Sequence, residues 1–139
     1  MDAIYRTEAV NRTGADGVSA VRDGLSVAVA SPLGPDPDAA ATNPEQLLAL
    51  AWATCLNGTA QVIVNGARRT AVRVEAALHP APAGVGYEFH VDAHLSVEGA
   101  SAAEASEVLA AAHARCPVSK LLAGAATVRT HVEAYPPAD

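Results

Sequence analysis

The two cysteines of this 139-residue chain, Cys55 and Cys116, are the residues whose chemistry stands out first. They lie 61 positions apart, so they form neither a CxxC redox motif nor a zinc-binding spacing. Cys116 precedes Pro117 at a predicted helix junction, where free backbone N–H groups lower the pKa of a thiol. Cys55 lies in mid-helix and has no such help. A redox-active pair and two small buried hydrophobic residues fit these features about equally well.

Glu45 and His113 are the next candidates for chemistry. Glu45 suits the first turn of a helix, where the dipole favours a carboxylate, and that plain interpretation is the stronger one locally. It lies ten positions before Cys55, or about 15 Å along one helix, so a shared site needs a bridging residue or a second copy at a dimer interface. His113, three positions before Cys116, fits a general base or a metal ligand, but a helix-end histidine is the favoured interpretation.

The stretch from Thr42 to Gly66 is the longest helical pattern, and it carries both Glu45 and Cys55. Thr42 or Asn43 can cap it, Pro44 fits the first helical position, and Asn65-Gly66 is a suitable end. The body of this helix is almost wholly apolar, which predicts burial of most of its surface. Its leading apolar residues are Leu47, Leu48, Leu50, Ala51 and Trp52.

Short strands and two further helices surround the long helix. Three antiparallel strands are predicted before it, over residues 3–10, 17–22 and 25–30, followed by a surface loop over residues 31–41. A long hairpin is predicted over 70–79 and 87–97, then a helix capped by Ser101 with Glu104 in a capping box, a short helix ending at Gly124, and a strand over 127–135. This order predicts a single α+β domain over residues 1–139, with mostly antiparallel pairing.

Composition excludes several classes of partner. The net charge of −6 argues against a nucleic-acid-binding surface and provides no basic patch for anionic membranes. No run of 18 apolar residues is free of polar interruption, and the first residues lack the layout of a signal peptide, so we expect a cytoplasmic protein without a membrane span. Half of the residues are hydrophobic but only 4% are aromatic, so a dimer interface is a natural way to bury more apolar surface.

Two segments resemble the OsmC/Ohr family of thiol-dependent organic hydroperoxide reductases. One is Thr42-Asn43-Pro44-Glu45-Gln46-Leu47 with Cys55 ten positions after the glutamate, and the other is His113-Ala114-Arg115-Cys116-Pro117-Val118-Ser119. The predicted order of elements agrees with that family over nearly the whole chain. The resemblance implies an α+β fold with antiparallel sheets, a long central helix and an intertwined homodimer with sites at its interface.

The resemblance also implies a mechanism. Cys55 would be the peroxidatic cysteine, which an organic hydroperoxide oxidises to a sulfenic acid, and Cys116 the resolving cysteine that condenses with it to a disulfide. A dithiol of the lipoyl type would reduce the pair, and no metal, flavin or other cofactor is implied. Leu48, Trp52 and Leu56 are candidate residues for an apolar substrate pocket.

The chain departs from the Ohr pattern at one position. The family places an arginine, which pairs with the glutamate corresponding to Glu45 and activates the thiolate, where this chain has Ala15. Without a cation, burial of Cys55 predicts a raised pKa and a slow reaction. Arg12 is the predicted replacement and Arg22 the next choice. The Cys-Pro-Val-Ser segment resembles the OsmC branch, whereas Asn-Pro-Glu-Gln-Leu suits Ohr, so the branch stays open.

Two other functions are consistent with the same residues. A non-enzymatic α+β dimer could bind an apolar small molecule and sense oxidation through its thiols, and Ala15 is the feature that favours this alternative. A hydrolase using Cys116 and His113 is weaker, because no triad or oxyanion signature accompanies them.

Overall fold

The computed structural model describes residues 1–35 and 38–137 of the chain, and Asp36 and Pro37 of the predicted loop lie outside it. Within those residues the elements follow in the predicted order, and the fold is α+β as expected. They are β1 (Ala9–Asn11), β2 (Gly17–Val21), β3 (Ser26–Val29), α1 (Pro44–Val64), β4 (Thr70–Pro80), β5 (Tyr87–Val97), α2 (Ala102–Arg115), α3 (Pro117–Leu122) and β6 (Val128–Val132).

The chain divides into two compact units, Met1–Leu47 and Leu48 onward, and each is described by itself. In the first unit, β1, β2 and β3 form an antiparallel sheet in that order. Asp23, in the left-handed region at φ 57°, makes the predicted turn between β2 and β3. The strand expected over residues 3–10 is shorter than predicted, because Ile4 and Tyr5 are exposed and have no packing partner to extend it. A single domain over residues 1–139 stays a prediction.

Helix α1 has the predicted caps. The side chain of Asn43 accepts a hydrogen bond from the backbone N–H of Gln46 at 2.9 Å, so Asn43 is the cap, while the hydroxyl of Thr42 donates to the Gln46 side chain. Asn65 and Gly66 end the helix with φ values of 49° and 74°, as the sequence indicated. The helix is unbroken, so the spacing between Glu45 and Cys55 is that of a regular helix.

By length and composition alone, α1 could cross a membrane, with a mean hydropathy of 1.6 over its most apolar 18 residues. The core helices of globular proteins meet the same criterion. Within α1 the fully buried residues are Trp52, Leu56 and Ala60. The absence of a membrane span therefore stays a prediction.

The second unit is built on a sheet of β4, β5 and β6. β4 and β5 form the expected long antiparallel hairpin, from Thr70 opposite Val97 to Pro80 opposite Tyr87. β5 and β6 are parallel, which differs from the antiparallel pairing that the sequence favoured. The reason is that α2 and α3 return the chain across the sheet before β6 begins, as a parallel connection requires.

The core of the second unit lies between the inner face of this sheet and the three helices. Its buried members are Trp52, Leu56 and Ala60 of α1, Val91, Ala93, Leu95 and Val97 of β5, Ala105, Leu109 and Ala112 of α2, and Cys116. Ser101 caps α2 by accepting from the backbone N–H of Glu104 at 3.1 Å. The Glu104 carboxylate pairs with Arg68 at 2.8 Å rather than completing the predicted capping box.

Candidate active site

The structure brings the two cysteines into contact. The side chains of Cys55 and Cys116 lie close enough for each thiol to shift the pKa of the other, and both cysteines are free. Cys55 is held on α1 by the packing of its neighbours Trp52 and Leu56 into the core, and it is itself half-buried. Cys116 belongs to the same core and is fully buried.

The junction between α2 and α3 fixes the position of Cys116. Its backbone N–H donates to the carbonyl of Ala112 at 2.8 Å, which ends α2, and its sulfur accepts from the backbone N–H of Ser119 at 3.4 Å, which caps α3. Pro117 restricts the preceding residue to extended geometry, and Cys116 has φ −61° and ψ 121°. The Cys-Pro sequence therefore turns the chain so that the thiol faces the first amides of α3.

Ser119 and Trp52 complete the surroundings of Cys116, and the sequence analysis did not identify this role for either. The indole Nε1–H of Trp52 donates to the Ser119 hydroxyl oxygen at 2.9 Å, and both side chains are fully buried. The Ser119 hydroxyl in turn lies within hydrogen-bonding reach of the Cys116 sulfur. A buried tryptophan needs an acceptor for its N–H, which is the one sequence signal that pointed to such a partner.

The two thiols have opposite pKa shifts. Burial raises the pKa of Cys55, and a hydrogen bond from the backbone N–H of Val118 only partly offsets it. Burial alone would also raise the pKa of Cys116, but hydrogen bonds from the backbone and side chain of Ser119 outweigh it. With further bonds from Cys55 and Val118, the pKa of Cys116 falls below its ordinary value. The pair thus holds one negative charge more readily on Cys116 than on Cys55.

Glu45 and Arg12 lie in the first unit. One carboxylate oxygen, Oε2 of Glu45, is buried and has no hydrogen-bond partner among the described residues. Arg12 is exposed in the turn after β1 and makes no ion pair within residues 1–35 and 38–137, while Arg22 pairs with Glu8 at 3.2 Å. Ala15, at the position of the expected arginine, is exposed. Catalytic roles for Glu45 and Arg12 stay predictions.

The remaining predicted site residues are Leu48, Trp52, Leu56 and His113. Trp52 and Leu56 have no exposed surface in the single chain and Leu48 is partly buried, so their role as pocket lining stays a prediction. His113 has a buried Nδ1 without a partner in the described part of the chain, and its ring centroid lies 6.4 Å from that of Trp52. Across the described residues, no group of three or more His, Cys, Asp or Glu side chains is placed to hold a metal ion.

Comparison with known proteins places the chain in a family. The family model described as OsmC-like protein matches residues 35–131. An organic hydroperoxide resistance protein-like protein of Mycoplasma pneumoniae is 33% identical over 129 residues, covering 88% of this chain and 89% of the relative. The organic hydroperoxide resistance protein-like 1 of Staphylococcus epidermidis is 34% identical over 139 residues, covering 96% and 98%.

Solved structures agree with the sequence relatives. The crystal structure of an organic hydroperoxide resistance protein OsmC from Legionella pneumophila matches with a TM-score of 0.82 at 28% identity, covering 96% of this chain and 98% of that one. The matched family model, the sequence relatives and the shared fold all agree with the resemblance drawn from the two cysteine-containing segments. The chain is a member of the OsmC/Ohr family.

Proposed function

We propose that this protein is a thiol-dependent peroxidase that reduces organic hydroperoxides to alcohols. The observation that carries the proposal is the proximity of Cys55 and Cys116, two free thiols that lie 61 positions apart in the sequence. The names of the relatives from Mycoplasma pneumoniae and Staphylococcus epidermidis, which refer to organic hydroperoxide resistance, support this function.

The reaction would proceed in three steps. The thiolate of Cys55 attacks the terminal oxygen of the hydroperoxide, the O–O bond breaks, the alcohol leaves, and Cys55 becomes a sulfenic acid. The sulfur of Cys116 then attacks that of Cys55, forming a disulfide and releasing water. A dithiol of the lipoyl type reduces the disulfide by thiol exchange, which returns both cysteines to the thiol form. No metal or organic cofactor takes part.

We propose a cytoplasmic homodimer as the working form. Helix α1 is almost wholly apolar, yet Leu50 and Val62 are 63% and 60% exposed in the single chain. Such a surface favours association with a second copy. The buried and unpartnered oxygen of Glu45 fits the same proposal, because a buried carboxylate requires a cation or a donor and a partner chain could supply one.

We propose an organic rather than an inorganic peroxide as the substrate. Leu48, Trp52 and Leu56 form the apolar surroundings of Cys55 on α1, and they favour a hydroperoxide with a bulky apolar group. Trp52 and Leu56, which are fully buried, would lie behind Leu48 in the wall of such a pocket.

The test of this function is turnover of cumene or t-butyl hydroperoxide with dihydrolipoamide or dithiothreitol as reductant. We expect the wild-type protein to turn over and Cys55→Ser to lose all activity, because no sulfur remains to attack the peroxide. The control is Ser96→Ala, which changes a buried serine whose hydroxyl has no partner among the described residues. Wild-type-like turnover by Cys55→Ser would refute the assignment.

Arg12 is the proposed source of the activating charge that Ala15 does not provide. We expect Arg12→Ala to slow the attack on the hydroperoxide by about 10-fold or more, equivalent to about 1.4 kcal/mol in activation free energy. The rate of the first oxidation of Cys55 measures this effect, and Arg6→Ala, which removes an exposed arginine of the same unit, is the matched control. An equal rate for Arg12→Ala and Arg6→Ala excludes Arg12.

The second candidate function is a non-enzymatic dimer that binds an apolar molecule and senses oxidation. The observation that favours it is the burial that raises the pKa of Cys55, since a protonated thiol reacts slowly with peroxides. A negligible rate of oxidation of reduced wild-type protein by organic hydroperoxides, with a Cys55 pKa above neutrality, would favour sensing over catalysis.

A further inference from the structure

Hydrogen-bond donors are shared unequally between the two sulfurs. The sulfur of Cys116 accepts from the backbone N–H of Ser119 at 3.4 Å, and the N–H of Val118, the Ser119 hydroxyl and the Cys55 thiol lie within reach of it. Within the described chain, Cys55 accepts from the Val118 N–H, while its own thiol donates to Cys116. Because a sulfur that accepts more hydrogen bonds holds negative charge better, Cys116 is the better thiolate of the two.

Trp52 determines the direction of the Ser119 hydroxyl. An indole N–H can only donate, so it occupies a lone pair of the Ser119 oxygen at 2.9 Å and leaves the O–H of that serine free to donate elsewhere. Cys116 is the acceptor within its reach. Trp52, Ser119 and Cys116 are all fully buried, so water does not compete for these bonds. Trp52 donates to Ser119 and Ser119 to Cys116, so this chain of hydrogen bonds ends on the Cys116 sulfur.

The sulfur that can meet a hydroperoxide is the other one. Cys55 is half-buried, whereas Cys116 has no exposed surface. A thiol must lose its proton to attack an O–O bond, and the surroundings of Cys55 favour its protonated form. The accessible thiol therefore needs a base at the moment of attack, and Cys116 is in contact with it.

We propose that Trp52 and Ser119 are positioning residues that place the negative charge of the reduced pair on Cys116, and that Cys116 accepts the proton of Cys55 during attack on the hydroperoxide. This inference rests on the proposed peroxidase function and adds a proton path to it. Cys116 acts as a base for Cys55, a role separate from the charge that Arg12 is proposed to supply in place of the family's arginine.

Cys55 transfers its proton to the Cys116 thiolate, its sulfur bonds to the terminal oxygen of the hydroperoxide, and the O–O bond breaks with both electrons going to the alkoxide. The Cys116 thiol passes the proton to the alkoxide, which leaves as the alcohol. The Cys116 thiolate then attacks the sulfur of the Cys55 sulfenic acid, and hydroxide leaves as the disulfide forms. One thiol, one thiolate and one hydroperoxide become one disulfide, one alcohol and one hydroxide.

Other titratable groups near the pair are few. From Leu48 to Val64, α1 carries no titratable side chain besides Cys55, while α2 and α3 carry Glu104, Glu107, His113, Arg115 and Lys120. His113 is the competing base, because it lies one turn before Cys116 and its ring approaches Trp52. It does not belong to the donors that surround Cys116, so His113→Gln serves as a control for its contribution.

The first experiment locates the charge by following thiolate absorbance in the ultraviolet against pH in single-cysteine variants. We expect Cys116 in Cys55→Ser to titrate at a lower pH than Cys55 in Cys116→Ser, because Cys116 retains the Ser119 donors. In the Cys55→Ser background, Ser119→Ala should raise the titration midpoint by about one pH unit, since a hydrogen bond to a charged acceptor is lost. Trp52→Phe should move it in the same direction, and Ser119→Thr should restore it.

Two controls separate charge placement from a general structural effect. In the same background, Ser96→Ala and His113→Gln are expected to leave the midpoint unchanged. A titration midpoint in Cys55→Ser that is not below the midpoint in Cys116→Ser overturns the proposal. The titration of the two single-cysteine variants decides this point even where Ser119→Ala does not fold.

The second experiment tests proton transfer through the rate of the first oxidation of Cys55. At neutral pH we expect Cys116→Ser to react about 10²-fold more slowly than wild type, a typical contribution of a general base, and to recover only as pH rises through the pKa of Cys55, which burial raises. An unchanged rate at neutral pH overturns the base role. Failure of the peroxidase function gives a different result, because wild type itself then resists organic hydroperoxides while the thiolate titration is unaffected.

Discussion

The two faces of the β4–β5–β6 sheet hold polar groups in opposite ways. On the inner face, a few fully buried groups, Trp52, Ser119 and Cys116, are joined by single hydrogen bonds inside an apolar core. On the outer face, many half-exposed charged groups form a network in which Arg73 binds both Glu75 and Glu133. Within this unit, the buried hydrogen bonds act on one charge in a region of low dielectric constant. The ion pairs of the outer face are exposed to water, and each contributes little to stability.

The outer network shows how much charge a sheet face can carry without forming a site. His94 approaches Glu75 at 3.2 Å and stacks on His131, with ring centroids 4.7 Å apart. His131 in turn bonds Asp92 at 2.6 Å, which holds the pKa of that carboxyl below its usual value. Each acid here already has a basic partner, so the face is a stabilising surface rather than a reactive one.

The largest expected effect concerns the buried pair. We expect Cys116→Ser to permit one oxidation of Cys55 per chain and then to stop, because no second sulfur is present to form the disulfide. Counting alcohol released per chain measures this, with Ser96→Ala as the control for changing a buried side chain in the same unit. Continued turnover by Cys116→Ser with a dithiol reductant would show that resolution does not need the second cysteine.

Leu95 and His94 are adjacent residues of β5 on opposite faces of the sheet, so substituting each of them allows the two faces to be compared. Leu95 is fully buried on the inner face, and Leu95→Ala should cost about 2–5 kcal/mol of unfolding free energy through lost burial and the cavity left behind. His94 points to the outer face, and His94→Ala should cost less than about 1 kcal/mol because its partner Glu75 is largely exposed and such contacts contribute little. Urea denaturation measures both variants. Equal costs would contradict the contrast between the faces.

The smallest expected effect is the pH dependence supplied by the outer face. Hydrogen bonds from Arg73 lower the pKa of Glu133 below its usual value. The pair therefore stabilises the fold above the unfolded glutamate pKa of about 4.3, and that contribution is lost as pH falls through the lower folded pKa. We expect Glu133→Gln to be less stable at neutral pH and to lose stability less steeply on acidification.

Unfolding free energies at a series of acidic pH values measure this slope. Glu98→Gln is the matched control, because Glu98 is exposed and makes no ion pair in the part of the chain that the structure describes. If the unfolding free energy falls equally steeply with acid in wild type and Glu133→Gln, the Arg73–Glu133 pair is not a source of the pH dependence.

Local signals were enough to predict most elements of the fold. Caps and turn residues set the ends of α1 and α2, and alternation in two long strands predicted the β4–β5 hairpin. The parallel pairing of β5 with β6 is the exception to the mostly antiparallel pairing that was predicted, because it depends on how α2 and α3 cross the sheet rather than on any local pattern.

The candidate site was less predictable than the fold. Each cysteine was visible in the sequence, but their contact was implied only by family resemblance, since no spacing rule joins positions 61 apart. The Trp52–Ser119 hydrogen bond spans 67 positions and was not foreseen, because neither residue type marks a site by itself. What the sequence could show was that a buried indole N–H must find an acceptor.

The central claim is that Cys55 and Cys116 act together in reducing an organic hydroperoxide, and a thiol count tests it most directly. Free thiols are measured in the reduced protein before and after one equivalent of cumene hydroperoxide, without any reductant present. We expect two free thiols per chain before the hydroperoxide is added and none afterwards. One equivalent of alcohol should form, and a dithiol should restore both thiols. Two thiols per chain remaining after exposure to the hydroperoxide would contradict it.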